Sequence, residues 1–157
     1  MMSQSERQSA AGEILRVIPK VMRVLASEMR QQPGGLAPAH FRVMLMLAKQ
    51  PRSLTDLAAS QSVSLATMSK SISVLVDRGW VNRRRDLHDR RKLALEITDE
   101  GKVALREVHM RAEAHFQELL AGVNETHCRE IQRGLELLND VFSADLETET
   151  PYRKEAE

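Results

Sequence analysis

The chain has 157 residues, with 23 lysines and arginines against 22 aspartates and glutamates, and a single cysteine. This length is typical of one domain with its own core. One cysteine excludes an intramolecular disulfide and a multi-cysteine metal site, and it favours a reducing, cytoplasmic location. The polar N-terminus and the lack of a long apolar run predict neither export nor a membrane partner. The five aromatic residues are too few and too scattered to stack single-stranded nucleic acid.

The near-neutral total conceals an uneven distribution of charge. Residues 64–92 carry eight positive and three negative side chains, a net charge of +5, whereas the remaining 128 residues have a net charge of −4. A run of arginines is most often a solvated surface. The meaning of this basic segment therefore depends on the secondary structure around it.

Two helices are predicted in the first third of the chain. From about Ala11 to Arg30, apolar residues recur every three or four positions, which indicates one buried helix face. Pro19 lies inside this pattern and predicts a kink or a late start. After the breaker at residues 32–35, Pro38 is suited to the first turn of a second helix that runs to about Ala48.

The next segment has the pattern of a helix-turn-helix. Ser53 and Asp56 form a variant of the capping box and start a helix that reaches about Ser60. Ser64, followed by Thr67, caps the next helix, and Gly79 ends it. Two short helices joined by a three-residue turn are typical of this DNA-binding motif.

A β-hairpin and two long helices complete the chain. Residues 80–85 and 92–97 read as strands, and the polar residues 86–91 form the tip between them. Thr98 and two acidic residues then start a helix that runs to about Leu120. The last helix starts near Asn124, and the charged residues after it are expected to be disordered.

A set of residues between Leu57 and Gly101 carries a pattern found in one protein family: Leu57-Ala58, Val63-Ser64, Thr67-Met68-Ser69-Lys70, Leu75, Gly79-Trp80-Val81, Arg83, Asp86, Asp89-Arg90-Arg91, Leu95, Ile97-Thr98 and Gly101. In these residues the chain resembles the multiple-antibiotic-resistance regulator (MarR) family of winged helix-turn-helix transcription factors. The resemblance implies a mainly α fold with a small β-hairpin wing, and a homodimer that binds double-stranded DNA.

The resemblance also predicts how the chain is divided. It implies one domain over residues 11–146, in which residues 37–98 form the winged DNA-binding lobe. Residues 11–31 and 99–146 are the expected dimerisation helices, and residues 147–157 the expected disordered acidic tail. We expect an effector-responsive repressor on a pseudo-palindromic operator. A winged-helix module for protein interaction and a metal-responsive regulator of the same fold stay open as alternatives.

Two groups of residues are predicted to contact DNA. Ser64, Thr67 and Lys70 lie in the N-terminal half of the recognition helix, from which base edges in the major groove are reached. The second group belongs to the wing and comprises Arg83, Arg85, His88, Arg90 and Arg91. Asp89 is given a structural role, because a carboxylate two residues from Arg91 can hold the tip through charge-assisted hydrogen bonds.

Predictions beyond DNA are few. Members of the family commonly bind small lipophilic or phenolic effectors, for which Met22, His40, Met44 and Met110 are candidate pocket residues, although methionines at helical spacing are more often core. The histidines do not show the spacing of a four-ligand metal site, so neither a metal nor another cofactor is predicted. The sequence carries no phosphate-binding glycine loop or catalytic grouping, so we do not expect an enzyme.

Overall fold

The computed structural model describes residues 4–85 and 93–148, the last five of them as helix backbone only. Its elements are α1 (Gln4–Gln31), α2 (Pro38–Lys49), β1 (Arg52–Ser53), α3 (Leu54–Ser60), α4 (Leu65–Asp77), β2 (Val81–Arg85), β3 (Leu93–Ile97), α5 (Asp99–Leu120) and α6 (Glu125–Thr148). The chain divides into two compact units, residues 1–115 and 116–157. Within the described ranges, no helix combines the length and the apolarity that crossing a bilayer requires.

The outer helices are longer than the sequence predicts. α1 begins at Gln4 rather than near Ala11 and continues through Pro19, so the predicted late start is wrong. α6 reaches Thr148, two residues into the segment expected to be a disordered tail; residues 149–157 lie outside the described part of the chain. Both extensions are polar, so apolar periodicity could not mark them.

Local capping explains the helix-turn-helix. The hydroxyl of Ser53 accepts from the amide of Asp56 at 3.1 Å, and the Asp56 carboxylate accepts from the amide of Ser53 at 3.3 Å, which confirms the predicted capping box. Gly79 has φ +72° and donates to the carbonyl of Val76, which confirms it as the stop of α4. The turn between α3 and α4 places Ser62 at φ +52°, a conformation that L-residues adopt at a cost of about 1 kcal/mol or more.

The sheet has three antiparallel strands in the order β1-β3-β2. The hairpin of β2 and β3 pairs Val81 with Ile97 and Arg83 with Leu95, as the two-strand prediction requires. β1 was not predicted, because two residues between a proline and the first residue of a helix have no periodicity of their own. β1 forms only by pairing with the far strand of the hairpin, where Arg52 lies opposite Leu95.

A single apolar core holds the lobe together. Its most deeply buried side chains come from α2, α3, α4, β2 and α5, and comprise Met44, Leu57, Ile72, Leu75, Val81 and Val108, each fully buried. Three core residues belong to α4, so the packing of these side chains fixes the position of α4 relative to the sheet.

Candidate nucleic-acid interface

The first turn of α4 is held by a local hydrogen-bond pair. The amide of Thr67 donates to the hydroxyl of Ser64 at 3.1 Å, and the two hydroxyls lie 2.9 Å apart. Ser64 is therefore the N-cap of α4, as predicted. Both side chains are exposed, but one donor of the pair is used locally, so their contact with DNA stays a prediction.

α4 separates an inner and an outer face. Met68, Ile72 and Leu75 are 2%, 0% and 0% exposed and fix the helix on the core. At 100° per residue, the positions opposite them include Ala66 and Lys70, and both are exposed. Lys70, predicted as a DNA contact, thus lies on the outer face of the helix.

The three arginines of β2 divide between the two faces of the sheet. Arg83 and Arg85 pair with Leu95 and Leu93 and share one face, as alternation predicts. A guanidinium nitrogen of Arg83 lies 3.4 Å from the hydroxyl of Ser73, which places Arg83 beside α4. The face of Arg83 and Arg85 is thus the one next to the recognition helix, a question that the sequence left open.

Arg84 points to the other face and is paired there. Its guanidinium lies 3.1 Å from the carboxylate of Glu96, to which it donates two hydrogen bonds. This pair neutralises one charge of the arginine run on the face away from α4. Two of the three arginines therefore remain to present net charge on the α4 side.

The tip of the wing lies outside the described residues. His88, Asp89, Arg90 and Arg91 all fall within residues 86–92, so their predicted roles remain predictions. The two strands on either side of the tip are described, and they bring Arg85 opposite Leu93 at its base.

Arg78 performs a role that the sequence did not reveal. Its guanidinium donates to the carbonyls of Gly34, at 2.8 Å, and Gly35, and it lies 4.9 Å from the ring centroid of Trp80. Arg78 therefore connects the end of α4 to the turn between α1 and α2. The sequence shows that Arg78 is positively charged, but the two carbonyls that accept its hydrogen bonds are more than 40 residues away.

Thr98 and Gly101 fasten the hairpin to the end of α4. The Thr98 hydroxyl donates to the carbonyl of Gly79 at 2.6 Å and accepts from the amide of Gly101 at 3.0 Å. A Cβ on Gly101 would come within 2.3 Å of the carbonyl oxygen of Trp80, so this position requires glycine. The turn after α4 and the start of α5 are thereby held in one arrangement.

A second group that the sequence missed joins α1 and α5. Glu28, 5% exposed, has a carboxylate oxygen 3.0 Å from Nδ1 of His115 and another 3.9 Å from Nε of Arg111. Arg111 also donates to the side chain of Gln32 at 2.6 Å, and Gln32 donates to Glu107 at 2.9 Å. In the sequence, this group is marked only by a spacing of four residues between its polar side chains on each of the two helices.

His40 lies in a cleft beside Arg78. The cleft has a volume of about 380 Å³, and its lining also includes Arg30 and Leu36. Burial lowers the pKa of His40, and the nearby positive charge of Arg78 lowers it further. The neutral imidazole is therefore the favoured form in the folded chain.

The four candidate pocket residues do not gather at this cleft. Met44 is fully buried in the core, whereas Met22 and Met110 are 47% and 66% exposed. Of these four described residues, only His40 lines the cleft. The predicted effector pocket stays a prediction.

The remaining reactive side chains are ordinary in their surroundings. Cys128 is half-buried, with Sγ 3.8 Å from the carbonyl of Val123. His109 and Glu113 lie 3.9 Å apart on an exposed part of α5. Among the side chains that the structure describes, within residues 4–85 and 93–143, no three of His, Cys, Asp or Glu are grouped as a metal ion would need.

The geometry defines a winged helix-turn-helix lobe, and comparison with known proteins assigns it to a family. A model described as MarR family matches residues 34–92. The HTH-type transcriptional repressor YetL of Bacillus subtilis is 32% identical over 111 residues, 69% of this chain and 65% of YetL. The chain belongs to the MarR family, which confirms the resemblance seen in the sequence. The family consists of transcriptional regulators and not of enzymes.

Solved structures confirm the fold. The transcriptional regulator BldR of Sulfolobus solfataricus is 25% identical with a TM-score of 0.60, covering 91% of this chain and 99% of BldR. MarR of E. coli in its apo form is 20% identical with a TM-score of 0.63, covering 88% of this chain and 98% of MarR. The chain spans slightly less than two thirds of the length of YetL.

Proposed function

We propose that the chain is a sequence-specific regulator of transcription that binds double-stranded DNA as a homodimer, as an effector-responsive repressor in the cytoplasm. The observation that supports this most is the placement of charge. The basic segment of residues 64–92 coincides with α4 and the wing, and Arg83 lies beside α4 while Arg84 is neutralised on the other face. Charge is concentrated where a recognition helix and a wing would meet phosphates.

The homodimer is supported by apolar surface that the single chain leaves exposed. On α1, Leu15 and Met22 are 76% and 47% exposed, and on α6, Leu135 and Val141 are 58% and 65% exposed. Amphipathic helices bury such a face in a partner when their own chain does not cover it. A two-fold dimer would present two lobes to half-sites about one helical turn apart.

A pair of variants on one strand tests the DNA-binding part. We expect Arg83→Ala to weaken binding to a fluorescent random-sequence duplex and to lower the salt slope by about one per lost phosphate contact. Arg84→Ala is the matched control, since Arg84 has Glu96 as its partner. Fluorescence anisotropy at several salt concentrations measures both.

The wild-type titration separates this function from a protein-interaction module. A dimer that neutralises about six to ten phosphates should lose about a thousandfold or more in affinity between about 50 and 200 mM salt. A protein-only module predicts no binding to duplex at any of these concentrations. Equal losses in Arg83→Ala and Arg84→Ala would contradict the proposed placement of β2 on DNA.

The effector part of the proposal rests on the family and on the candidate residues Met22, His40, Met44 and Met110. A small phenol or hydroxybenzoate should release the protein from the duplex in the same assay, and His40→Ala should reduce that release. The half-buried position of His40 in a cleft is the structural observation behind this choice. Release that is unchanged in His40→Ala would remove His40 from the effector site.

A further inference from the structure

The start of the recognition helix exposes apolar side chains where polar ones would be expected. Leu65, the first residue of α4, is 53% exposed, and Val63, two residues before it, is 38% exposed. Ala66, the second residue of α4, is exposed as well. Three residues further on, Met68 is buried at 2%, so the lobe could cover an apolar side chain in this turn but leaves Leu65 uncovered.

The neighbouring hydroxyls have reduced capacity to read bases. Ser64 caps the helix by accepting from the amide of Thr67, and the two hydroxyls are hydrogen-bonded to each other at 2.9 Å. Of the two hydroxyl protons, one is used between them. The front of α4 therefore offers few free hydrogen-bond donors and a prominent isobutyl group.

The charge of the neighbouring surface indicates what covers this turn. Lys70 is exposed on the same helix, about 140° around it from Leu65, and Arg83 approaches Ser73 about two turns after Leu65. A partner that covers Leu65 therefore meets an apolar side chain at the end of a helix whose exposed side and adjoining strand are basic. In the major groove of DNA, the 5-methyl group of thymine is the apolar feature that base edges present, with phosphates on both sides.

We infer that Leu65 is a specificity-determining residue of the proposed DNA-binding site, and that it reads the 5-methyl group of thymine by van der Waals contact. This inference rests on the proposed function, since it names what one residue of that same surface recognises. Ala66 lies next to Leu65 and leaves room for the base edge to approach the helix.

A double-mutant cycle between the side chain and the methyl group tests the inference. Duplexes are selected from a randomised pool by the wild-type protein, and each thymine of the selected sequence is replaced in turn by uracil, which lacks only the methyl group. We expect one thymine per half-site whose replacement weakens wild-type binding about three- to tenfold, as the loss of one buried methyl contact predicts.

The Leu65→Ala variant should bind the thymine duplex about as weakly as the wild type binds the uracil duplex, and should show no further loss with uracil. Leu45→Ala is the matched control, since Leu45 is 43% exposed on α2, outside the surface proposed to meet DNA. Leu45→Ala should keep the full preference for thymine.

The outcomes separate the inference from its premise. Wild-type affinity that no uracil substitution changes would overturn the inference, and so would a thymine preference that Leu65→Ala retains in full. Either result leaves the proposed function standing, because a duplex has then been selected and bound. Failure to select any duplex would overturn the proposed function itself and the inference with it.

Discussion

Two helices with similar amphipathic patterns, α4 and α6, differ in how deeply their apolar residues are buried. In α4, the apolar stripe of Met68, Ile72 and Leu75 is at most 2% exposed. In α6, Ile131, Leu135, Val141 and Phe142 of the apolar stripe are 42–65% exposed, and Leu138 is half-buried. The pattern shows only that a face needs cover, and among the described residues that cover is present for α4, whereas most of the stripe of α6 is exposed. The exposed stripe of α6 is where the proposed homodimer would place a second copy.

The largest expected effect comes from truncating a buried side chain in the apolar stripe of α4. Leu75→Ala should lower the free energy of unfolding by about 2–5 kcal/mol, because Leu75 is fully buried and its removal leaves a cavity. Leu135→Ala is the matched control on the open stripe, and its effect should be largest where the wild type is mostly dimeric and should shrink as the protein is diluted. Urea denaturation at two protein concentrations measures both. An equal, concentration-independent loss in the two variants would contradict the contrast between α4 and α6.

A charge on the exposed stripe of α6 should disrupt the proposed dimer. Leu135→Asp should weaken self-association at least about a hundredfold, a change of about 2.7 kcal/mol, since the carboxylate would be buried without a partner. Arg133→Asp places the same group on the polar side of α6 as a control. Analytical ultracentrifugation over a range of concentrations distinguishes the two. A wild-type chain that stays monomeric at micromolar concentration would show that no second copy covers this face.

A smaller effect is expected at the connection between α4 and the α1–α2 turn. Arg78→Met should cost about 1–3 kcal/mol, because the carbonyls of Gly34 and Gly35 lose a charged donor. Arg78→Lys should recover only part of this, since an ammonium lacks the planar fork that reaches both carbonyls. Chemical denaturation of both variants is the measurement. Full recovery in Arg78→Lys would mean that charge alone matters at this position.

The smallest effect is a dependence of stability on pH. Burial and Arg78 lower the pKa of His40 in the folded chain, so the unfolded chain binds the proton more readily. The contribution of His40 to stability is therefore complete above its unfolded pKa of about 6.5 and declines as the pH falls below that value. Urea midpoints between about pH 7.5 and 5.5 should fall less in His40→Gln than in the wild type. Parallel midpoints in the two proteins would contradict this role of His40.

Local signals made much of the lobe predictable. The cap at Ser53, the cap at Ser64 and the stop at Gly79 depend on neighbours within a few residues, so short motifs were sufficient to place α3 and α4. The alternation of Leu93, Leu95 and Ile97 was sufficient to predict the second strand of the hairpin, which the structure shows as β3. The fold and the family could be read from these elements together.

The missed features depend on residues that are far apart in the chain. Arg78 bonds to residues 43 and 44 positions away, and His115 bonds to Glu28 across 87 positions. β1 exists only through its pairing with β3. No local pattern specifies such partners, because they are set by how the elements pack. For the same reason, the sequence could not tell on which face of β2 an arginine would meet α4.

In the proposed function, the exposed faces of the outer helices form the dimer and the two winged lobes bind DNA. Sedimentation of the wild-type protein with a duplex selected from a randomised pool tests it most directly. The account predicts a complex of two chains on one duplex, which dissociates steeply as salt is raised. A complex with a single chain, or binding that does not respond to salt, would contradict it.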